Sequence, residues 1–409
     1  MSPVPAVSPV NPAAGYRFRW VAMAVFVLSS AINYLDRQTL TTLAPVLRAE
    51  FRLSHAEYGW ILGAFSITYA ASAPFAGLFI DRAGLNRAIG LAVGLWSCAG
   101  IATGFTRGLG SLVGCRAVLG LAEAGGIPAA GKAIHRYLAP AERALGNAVN
   151  QAGVSIGSMA ALPLAARLAG TVGWRSAFLV TGALGLLWIP LWNWTARRAA
   201  APESPEAVGP ASTNGSEVLR DRRLWAFVAA NGLSMVGYSL WTNWTTQYLV
   251  DVYRLTLPAA ARWALMPAAS ALLGGLAGGW LSLRLVNGGV PAMAARLRVC
   301  VAAAVVSLIN AAIPAAGSPG WSAAAISVAT FAVAAFSVNM YTLPLDAFGL
   351  SHAAFAVSIL VASYGALQFV ISPAFGRIID LYGYAPVSTL AAFTPLAACA
   401  VLWTARATR

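Results

Sequence analysis

Gly77-Leu-Phe-Ile-Asp81-Arg82-Ala-Gly84-Leu-Asn-Arg87 joins two long apolar runs of this chain. Apolar runs of about 20 residues are long enough to cross a membrane as helices. The charged stretch between them is therefore predicted to be a short connection at the membrane surface. We expect Asp81, Arg82 and Arg87 to form a charge clasp there, and Gly77 and Gly84 to let helices approach closely.

Apolar runs of the same kind recur along the whole chain. Hydrophobic residues make up 59% of the 409 residues and charged residues only 10%, whereas soluble domains carry about 25% charge. The sequence therefore predicts an all-α membrane protein in which the membrane-spanning part is the working part. The twelve predicted transmembrane helices are 19–44, 57–80, 86–105, 109–137, 143–168, 174–196, 223–250, 258–285, 291–315, 319–345, 353–379 and 385–405.

The net charge of +14 follows the predicted topology. All basic residues except Lys132 are arginines, and 17 of the 27 fall on the side of the chain termini against eight on the other side. This excess is the positive-inside pattern and predicts that both termini are cytoplasmic. Basic residues that follow topology give no reason to expect a nucleic-acid partner.

The second half of the chain repeats the first. Gly279-Trp-Leu-Ser-Leu283-Arg284 echoes the stretch at Gly77, and Pro373-Ala-Phe-Gly-Arg377 echoes Pro163-Leu-Ala-Ala-Arg167. Transporters built from such repeats bind their substrate between the halves, near the membrane midplane. The predicted organisation is a disordered tail at 1–17, a six-helix bundle at 18–197, a cytoplasmic linker at 198–221 and a second six-helix bundle at 222–409.

The stretch from Gly77 to Arg87 resembles the loop between helices 2 and 3 of the major facilitator superfamily. With twelve helices and a central linker, the resemblance covers nearly the whole chain. It implies two parallel six-helix bundles that alternate access to a central site, with the residues from Gly77 to Arg87 acting as a cytoplasmic gate motif. In the second half Leu283 replaces the acid, so we expect a weaker clasp there.

Three further segments look like the anion:cation symporter branch of that superfamily. They are Asn33-Tyr-Leu-Asp36-Arg37, Arg116-Ala-Val-Leu-Gly-Leu-Ala-Glu123-Ala and Gly173-Trp174-Arg175-Ser-Ala-Phe178. The branch contains bacterial hexuronate and aldonate transporters and animal vesicular glutamate and sialic-acid carriers. The resemblance implies a multi-pass protein of the bacterial inner membrane that imports a small carboxylate, with the lipid bilayer as its other partner. It implies no cofactor, with H⁺ as the coupling ion, and a monomer is expected.

Four charged residues are predicted to lie inside the membrane, where each charge costs at least ~2.5 kcal/mol and marks a candidate functional site. At 1.5 Å per residue, Asp36 and Arg37 lie ~25 Å along helix 1 from Trp20. Arg116 lies ~10 Å into the descending helix 4, and Glu123 follows two turns later on nearly the same face. The four sum to zero charge and are predicted to surround one cavity.

These charges suit proton-coupled uptake of a carboxylate. Arginine stays protonated and binds carboxylate with two parallel hydrogen bonds, so Arg37 is the predicted anion ligand and Arg116 its alternative or second ligand. Burial favours the protonated form of a carboxyl group, which makes Glu123 the predicted proton carrier. Asp36, next to Arg37, is assigned to gating or relay. The alternative is that these residues are structural ion pairs that lock helices 1 and 4 together.

Uncharged polar residues complete the candidate site, and for each of them ordinary packing is the alternative. Tyr69 matches a tyrosine of the family, and Tyr364 and Gln368 lie one helical turn apart. The predicted substrate-binding residues of this kind are Tyr69, Asn150, Gln151, Asn243, Tyr364 and Gln368, with Asn339 as a further candidate. Val154 and Ala362 stand where sugar-acid carriers have polar residues, so an aromatic or short aliphatic acid stays open beside a hexuronate or aldonate.

The sequence favours anion transport over three other classes of function. A drug/proton antiporter would not need two buried arginines, and a sensing receptor on a transporter fold would be expected to carry a further cytoplasmic domain. An enzyme is not expected, because the histidines at 55, 135 and 352 fall at helix ends without a catalytic or metal-binding constellation. The four cysteines lie in apolar segments without ligand spacing, so neither a disulfide framework nor a metal site is predicted.

Overall fold

The structure is a computed structural model that describes residues 12–139, 142–199 and 215–406. Within these ranges every regular element is helical. The α-helices are α1 (Pro12–Phe51), α2 (His55–Ala83), α3 (Leu85–Thr103), α4 (Leu109–Glu123), α5 (Gly126–Tyr137), α6 (Arg143–Thr171), α7 (Trp174–Arg198), α8 (Gly215–Arg220), α9 (Arg222–Ser234), α10 (Val236–Tyr253), α11 (Leu257–Asn287), α12 (Ala292–Val306), α13 (Pro319–Met340), α14 (Leu343–Tyr382) and α15 (Tyr384–Arg406), and a 3-10 helix (Ser307–Ala315) continues α12.

The predicted membrane spans correspond to these helices. Eleven helical segments of the described chain are long and apolar enough to cross a membrane. The span predicted at 223–250 falls on α9 and α10, which meet at Met235 and are not among the eleven. An all-helical membrane protein is thus confirmed, while the count of twelve spans and the cytoplasmic termini stay predictions.

The helices pack into two bundles. In the first bundle α1 packs on α6 and α7, α2 on α4, and α3 on α7. In the second, α11 and α12 pack on α13, and α15 packs on α9. The predicted tail and linker lie largely outside the described residues. Of these segments the structure describes α1 from Pro12 and the short helix α8 before the second bundle.

The bundles meet where α2 runs along α14. A Cβ atom added at Gly59 would lie 2.4 Å from the carbonyl oxygen of Ser372, and one added at Gly376 would lie 2.1 Å from the carbonyl oxygen of His55. Only glycine allows the two backbones to approach so closely. This closely packed end, where α2 begins, is called the His55 face below. The opposite end, where α2 finishes near Asp81, is called the Asp81 face.

Contact between the bundles differs at the two faces. A Cβ atom at Gly77, near the Asp81 face, would meet nothing within 4 Å. The expectation that Gly77 permits close helix approach is therefore wrong for this conformation, in which the bundles are packed together towards the His55 face. Glycine suits position 84 for a different reason. Gly84 ends α2 with a φ of 78°, a backbone conformation that L side chains rarely adopt.

Predicted helix 4 is not continuous. Helix α4 ends at Glu123 and α5 begins at Gly126, with Pro128 at the start of the second piece. A proline in the first turn lacks only a backbone N–H that would have no partner there. The break places the carboxylate of Glu123 at the end of a helix, in the interior of the first bundle.

Candidate functional site

A buried ion pair between α1 and α4 lies at the centre of the site. The Nη2 atom of Arg37 lies 2.6 Å from Oε2 of Glu123, and its Nε donates to the same oxygen at 3.0 Å. The Glu123 side chain is fully buried, whereas that of Arg37 keeps 26% of its surface exposed. The guanidinium thus has an open side, while the carboxylate has none. The second oxygen, Oε1, has no hydrogen-bond partner in the described structure.

Aromatic rings surround the Arg37 guanidinium. Its Cζ lies 4.6 Å from the ring centre of Tyr34, 4.7 Å from that of Phe65 and 5.4 Å from that of Tyr69. A cation over aromatic faces is stabilised by the ring electrons, more strongly where water is excluded. The rings therefore hold the cation in place without neutralising it. Tyr69, predicted from the sequence as a substrate ligand, lies in this collar.

Arg116 lies beside the ion pair and is itself buried. Its Nη2 donates to the backbone carbonyl of Arg37 at 3.4 Å. Among the described residues it has no carboxylate within 4 Å, because Glu123 pairs with Arg37. The alternative in which Arg116 and Glu123 form the structural pair is thus not the arrangement found. Arg116 remains a positive charge close to the site, as its predicted role as second anion ligand requires.

Asp36 points away from the ion pair. Its side chain is buried towards α3 and α7, where Oδ1 would lie 3.9 Å from a Cβ atom at Gly100 and where Thr181 is its neighbour. The prediction that all four charges surround one cavity is therefore wrong for Asp36. Successive residues on an α-helix project about 100° apart, which is why Asp36 and Arg37 point in different directions. A relay role for Asp36 stays a prediction.

The polar candidates of α6 differ in environment. The Asn150 side chain is buried and its Oδ1 accepts a hydrogen bond from Ser30 Oγ at 2.8 Å, which ties α6 to α1. The Gln151 side chain is exposed. Asn150 thus joins two helices, which is the packing role given above as the alternative to substrate binding.

The second bundle contributes a polar network rather than charges. Gln368 Nε2 donates to the Tyr364 hydroxyl at 2.7 Å, and Gln368 Oε1 accepts from Ser239 Oγ. The Tyr364 ring packs against Tyr238 with ring centres 6.4 Å apart. Tyr238 in turn interacts electrostatically with Arg37. The structure thus brings Tyr364 and Gln368 together, and Tyr238 connects them to the charge of Arg37.

The other two candidates of the second bundle bond to backbone. Asn243 Nδ2 donates to the carbonyl of Ser239 at 2.9 Å, and Asn339 Nδ2 donates to the carbonyl of Gly278 at 3.1 Å. Asn339 is fully buried between α13 and α11. Its contacts are those of a residue that holds helices together.

Asp81 of the gate motif pairs with a lysine and not with the expected arginines, Arg82 and Arg87. Asp81 pairs with Lys132, with Nζ 2.8 Å from Oδ1, while Arg82 and Arg87 are exposed. Lys132 also donates to the carbonyl of Ile80 and so connects α5 to the end of α2. The clasp at the Asp81 face therefore lies within the first bundle and does not join the two bundles in this conformation.

Sequence reasoning missed a charged cluster at the His55 face. Here His55 and Arg48 of the first bundle meet Asp251, Asp380 and Tyr384 of the second. From the sequence, His55 is a histidine at a helix end without a catalytic or metal-binding constellation. The acids that face it are about 200 and 325 positions away along the chain, so the sequence does not show that they meet. The signal that could have found them is that the chain has only 13 acids, and four of them (Glu50, Glu57, Asp251 and Asp380) lie at helix ends on the face where α2 begins.

Two bundles of membrane helices with a charged centre facing the second bundle define a secondary transporter. Residues 26–361 match the family described as Major Facilitator Superfamily, and the chain belongs to that family. It is therefore a multi-pass membrane transport protein and not an enzyme, as the sequence predicts. Among the described residues no group of three or more His, Cys, Asp or Glu could hold a metal ion.

Individual relatives agree with this assignment. The chain is 27% identical over 403 residues to the Hexuronate transporter of Escherichia coli (strain K12), covering 94% of this chain and 93% of the relative. It is 28% identical to the Galacturonate transporter of Dickeya chrysanthemi, covering 65% and 81%. These bacterial relatives agree with the predicted location in the inner membrane.

The fold also resembles that of solved transporters. The crystal structure of a bacterial homolog to the human lysosomal transporter Spinster, in an inward-facing and occupied conformation, has a TM-score of 0.73. It shares 22% identity, with 95% of this chain and 96% of that chain covered. The likeness shows the fold alone.

Proposed function

We propose that this chain imports a sugar acid of the hexuronate or aldonate class by proton symport. The main support for this proposal is the ion pair between Arg37 and Glu123. Its buried carboxylate accepts the hydrogen bonds of the guanidinium that a substrate carboxylate would need. The relatives named for hexuronate and galacturonate support the class of substrate.

Competition for Arg37 would couple the proton to the substrate. While Glu123 is ionised, its Oε2 accepts both hydrogen bonds from Arg37. Protonation of Glu123 removes its charge, and the guanidinium becomes free to bind the carboxylate of the substrate bidentately. Proton and anion thus bind cooperatively, because each is bound more tightly when the other is present.

The remainder of the site would recognise the body of the substrate. Tyr34 and Tyr69 present ring faces and hydroxyl groups beside Arg37, and Tyr364 and Gln368 offer donors and acceptors from the other bundle. Because its ligands come from both bundles, a bound substrate would favour conformations in which the bundles close around it.

The test is uptake into proteoliposomes that contain the purified protein. With an inward proton gradient, labelled galacturonate or glucuronate should accumulate above its external concentration, and a protonophore should abolish the accumulation. Uptake that ignores the gradient would contradict symport. Unlabelled hexuronates, aldonates, aldarates, aromatic acids and short monocarboxylates, added in turn as competitors, would identify the class of anion.

An aromatic carboxylate is the second candidate. It is favoured by the ring collar of Tyr34, Phe65 and Tyr69 around Arg37, which is suited to stacking as well as to hydrogen bonding. In the competition assay this candidate predicts that an aromatic acid displaces labelled substrate more strongly than a hexuronate does.

A further inference from the structure

Helix α2 begins inside the contact between the two bundles, and its first turn takes hydrogen-bond partners from both of them. The first four backbone N–H groups of an α-helix have no partner within the helix. In α2 these groups belong to Ser54, His55, Ala56 and Glu57, because the next one, that of Tyr58, already donates to the carbonyl of Ser54. The structure gives all four a protein partner, and the partners divide them into two pairs.

One pair is satisfied within α2 and its cap. The N–H group of Glu57 donates to Oγ of Ser54 at 3.1 Å, and the N–H group of Ser54 donates to Oε2 of Glu57 at 2.8 Å. This reciprocal arrangement is a capping box. Both bonds lie within the first bundle, so a movement of the second bundle leaves them intact.

The other pair is satisfied by the second bundle. Oδ1 of Asp380, on α14, accepts the N–H group of His55 at 2.9 Å, and Oδ2 accepts that of Ala56 at 3.0 Å. One turn earlier on α14, a Cβ atom added at Gly376 would lie 2.1 Å from the carbonyl oxygen of His55. Glycine therefore lets α14 come close enough for one carboxylate to cap a helix of the opposite bundle.

These two bonds do not depend on the charge of the His55 ring. A backbone N–H group is a hydrogen-bond donor whatever the protonation state of its side chain. The imidazole contacts Asp251, Asp380 and Arg48, but the cap itself consists of two backbone donors and one carboxylate. The capping contact is therefore defined by the backbone of α2 and the position of Asp380.

The position of Asp380 on its own helix supports a role between the bundles. Asp380 lies in the last turn of α14, which ends at Tyr382 and has no basic residue there. The C-terminal end of a helix carries partial negative charge, which disfavours an acid, whereas the N-terminal end carries partial positive charge. The carboxylate is thus unfavourably placed for α14 and favourably placed for α2, so its stabilising effect comes from the contact between the bundles.

The internal repeat provides a comparison, because α11 is the counterpart of α2, and α6 is the counterpart of α14. These two counterparts also pack on each other. The match of 163–167 with 373–377 aligns Asp380 with Gly170, where an added Cβ atom would meet nothing within 4 Å. Pro258, at the start of α11, has no N–H group to donate. The equivalent contact thus lacks the acceptor and one of the donors, so the cap is particular to α2 and α14.

We propose that Asp380 is a latch between the bundles. It caps α2 from the opposite bundle, so closure of the His55 face also completes the first turn of α2. Opening this face would leave two N–H groups with water as their only partner. Hydrogen bonds to a charged group contribute enough to change an equilibrium by roughly tenfold or more. The arginine distribution predicts this face to be external, and the latch depends on the fold and not on which anion is carried.

The first measurement is the distance between the bundles at the His55 face. Spin labels are placed at Arg107→Cys and Thr256→Cys, two exposed positions on opposite bundles at this face, after replacement of the four natural cysteines. Double electron–electron resonance then gives the closed-to-open ratio without any substrate. Asp380→Leu, which removes the acceptor, should lower this ratio by roughly tenfold or more. Asp380→Asn keeps one accepting oxygen and should lower it less, and it carries the test where the leucine variant does not fold.

Asp221→Asn is the matched control. Asp221 caps α9 by accepting the N–H group of Arg223 at 2.8 Å. Donor and acceptor are two residues apart in the chain, so this cap does not join the bundles. The same change from carboxylate to amide should therefore leave the closed-to-open ratio unaltered. A shift as large as that in Asp380→Asn would overturn the assignment of the latch to Asp380.

The second measurement is hydrogen exchange of the amides in the first turn of α2. In Asp380→Leu the amides of His55 and Ala56 should exchange roughly tenfold faster, whereas that of Glu57, which is capped by Ser54, should keep its rate. Equal acceleration of all three amides would indicate a general loss of packing. That result, or a closed-to-open ratio that Asp380→Leu leaves unchanged, would overturn the proposal.

Discussion

The two bundles share a fold but bury different kinds of polar group. The first bundle buries the charged residues Asp36, Arg116 and Glu123, whereas the described part of the second bundle buries amides and hydroxyls such as those of Asn310 and Gln368. A buried charge must be paired or must change its protonation state, but a buried amide needs only hydrogen bonds. Under the proposed function, the first bundle would respond to protons and anions, while the second would offer a fixed polar surface.

The surface between the bundles supports the same division. Arg37 interacts electrostatically with Tyr238 of the second bundle, and the His55 ring of the first bundle contacts acids of the second. Charge in the first bundle is therefore positioned where it can change the contact between the halves.

Glu123→Gln should have the largest effect. Glutamine keeps the size of the side chain but cannot exchange a proton, so accumulation driven by a proton gradient should fall to the equilibrium level while exchange of substrate for substrate continues. Glu50→Gln, at an exposed acid paired with Arg175, is the matched control and should leave accumulation intact. Equal loss of accumulation and exchange would make Glu123 a structural partner of Arg37.

Arg37→Lys should weaken substrate binding roughly 10- to 100-fold. Lysine keeps the charge but not the planar fork, and hydrogen bonds to charged groups contribute about 1.5–3 kcal/mol each. Titration calorimetry or thermal shift with the best competitor would measure the affinity. Arg175→Lys, at a partly exposed arginine, should bind normally. Unchanged affinity in Arg37→Lys would exclude Arg37 from the anion site.

Gly59→Ala should weaken closure of the His55 face by about 1–3 kcal/mol, the usual cost of overpacking. The new methyl group would lie 2.4 Å from the carbonyl oxygen of Ser372 unless the bundles separate. Distances between spin labels at Arg107→Cys and Thr256→Cys, two exposed positions on opposite bundles at the His55 face, would report the lost closed population in a variant without the four natural cysteines. Gly90→Ala, in the first bundle at a glycine whose added Cβ would meet nothing within 4 Å, should change nothing in this measurement. A closed population retained in Gly59→Ala would show that the packing of α2 on α14 does not hold the bundles.

Gln368→Leu should have the smallest effect, about a fivefold rise in KM with accumulation preserved. The change removes neutral hydrogen bonds to Tyr364 and Ser239, each contributing about 1 kcal/mol. Asn339→Leu alters an amide of the same bundle that bonds only backbone, and its KM should match that of the unaltered protein. If Gln368→Leu abolished gradient-driven accumulation, the division of roles between the bundles would be wrong.

Much of the site followed from residue types alone. Arg37, Arg116 and Glu123 are marked by their charge within apolar runs, and the structure brings all three together. Their pairing was not predictable, because Glu123 is within reach of Arg116 on its own helix and of Arg37 on a neighbouring one. Helix rotation decides between them, and rotation depends on how the whole bundle packs.

Composition and segment length are enough to predict the membrane class and the presence of buried charge, and the repeated segments predict the two bundles. Which charges meet became clear only from the packed helices: Arg37 pairs with Glu123, Asp36 lies towards α3 and α7, and His55 contacts two aspartates about 200 and 325 positions away. Hydrophobicity is a property of each segment, whereas an ion pair requires two segments held at a defined distance and rotation.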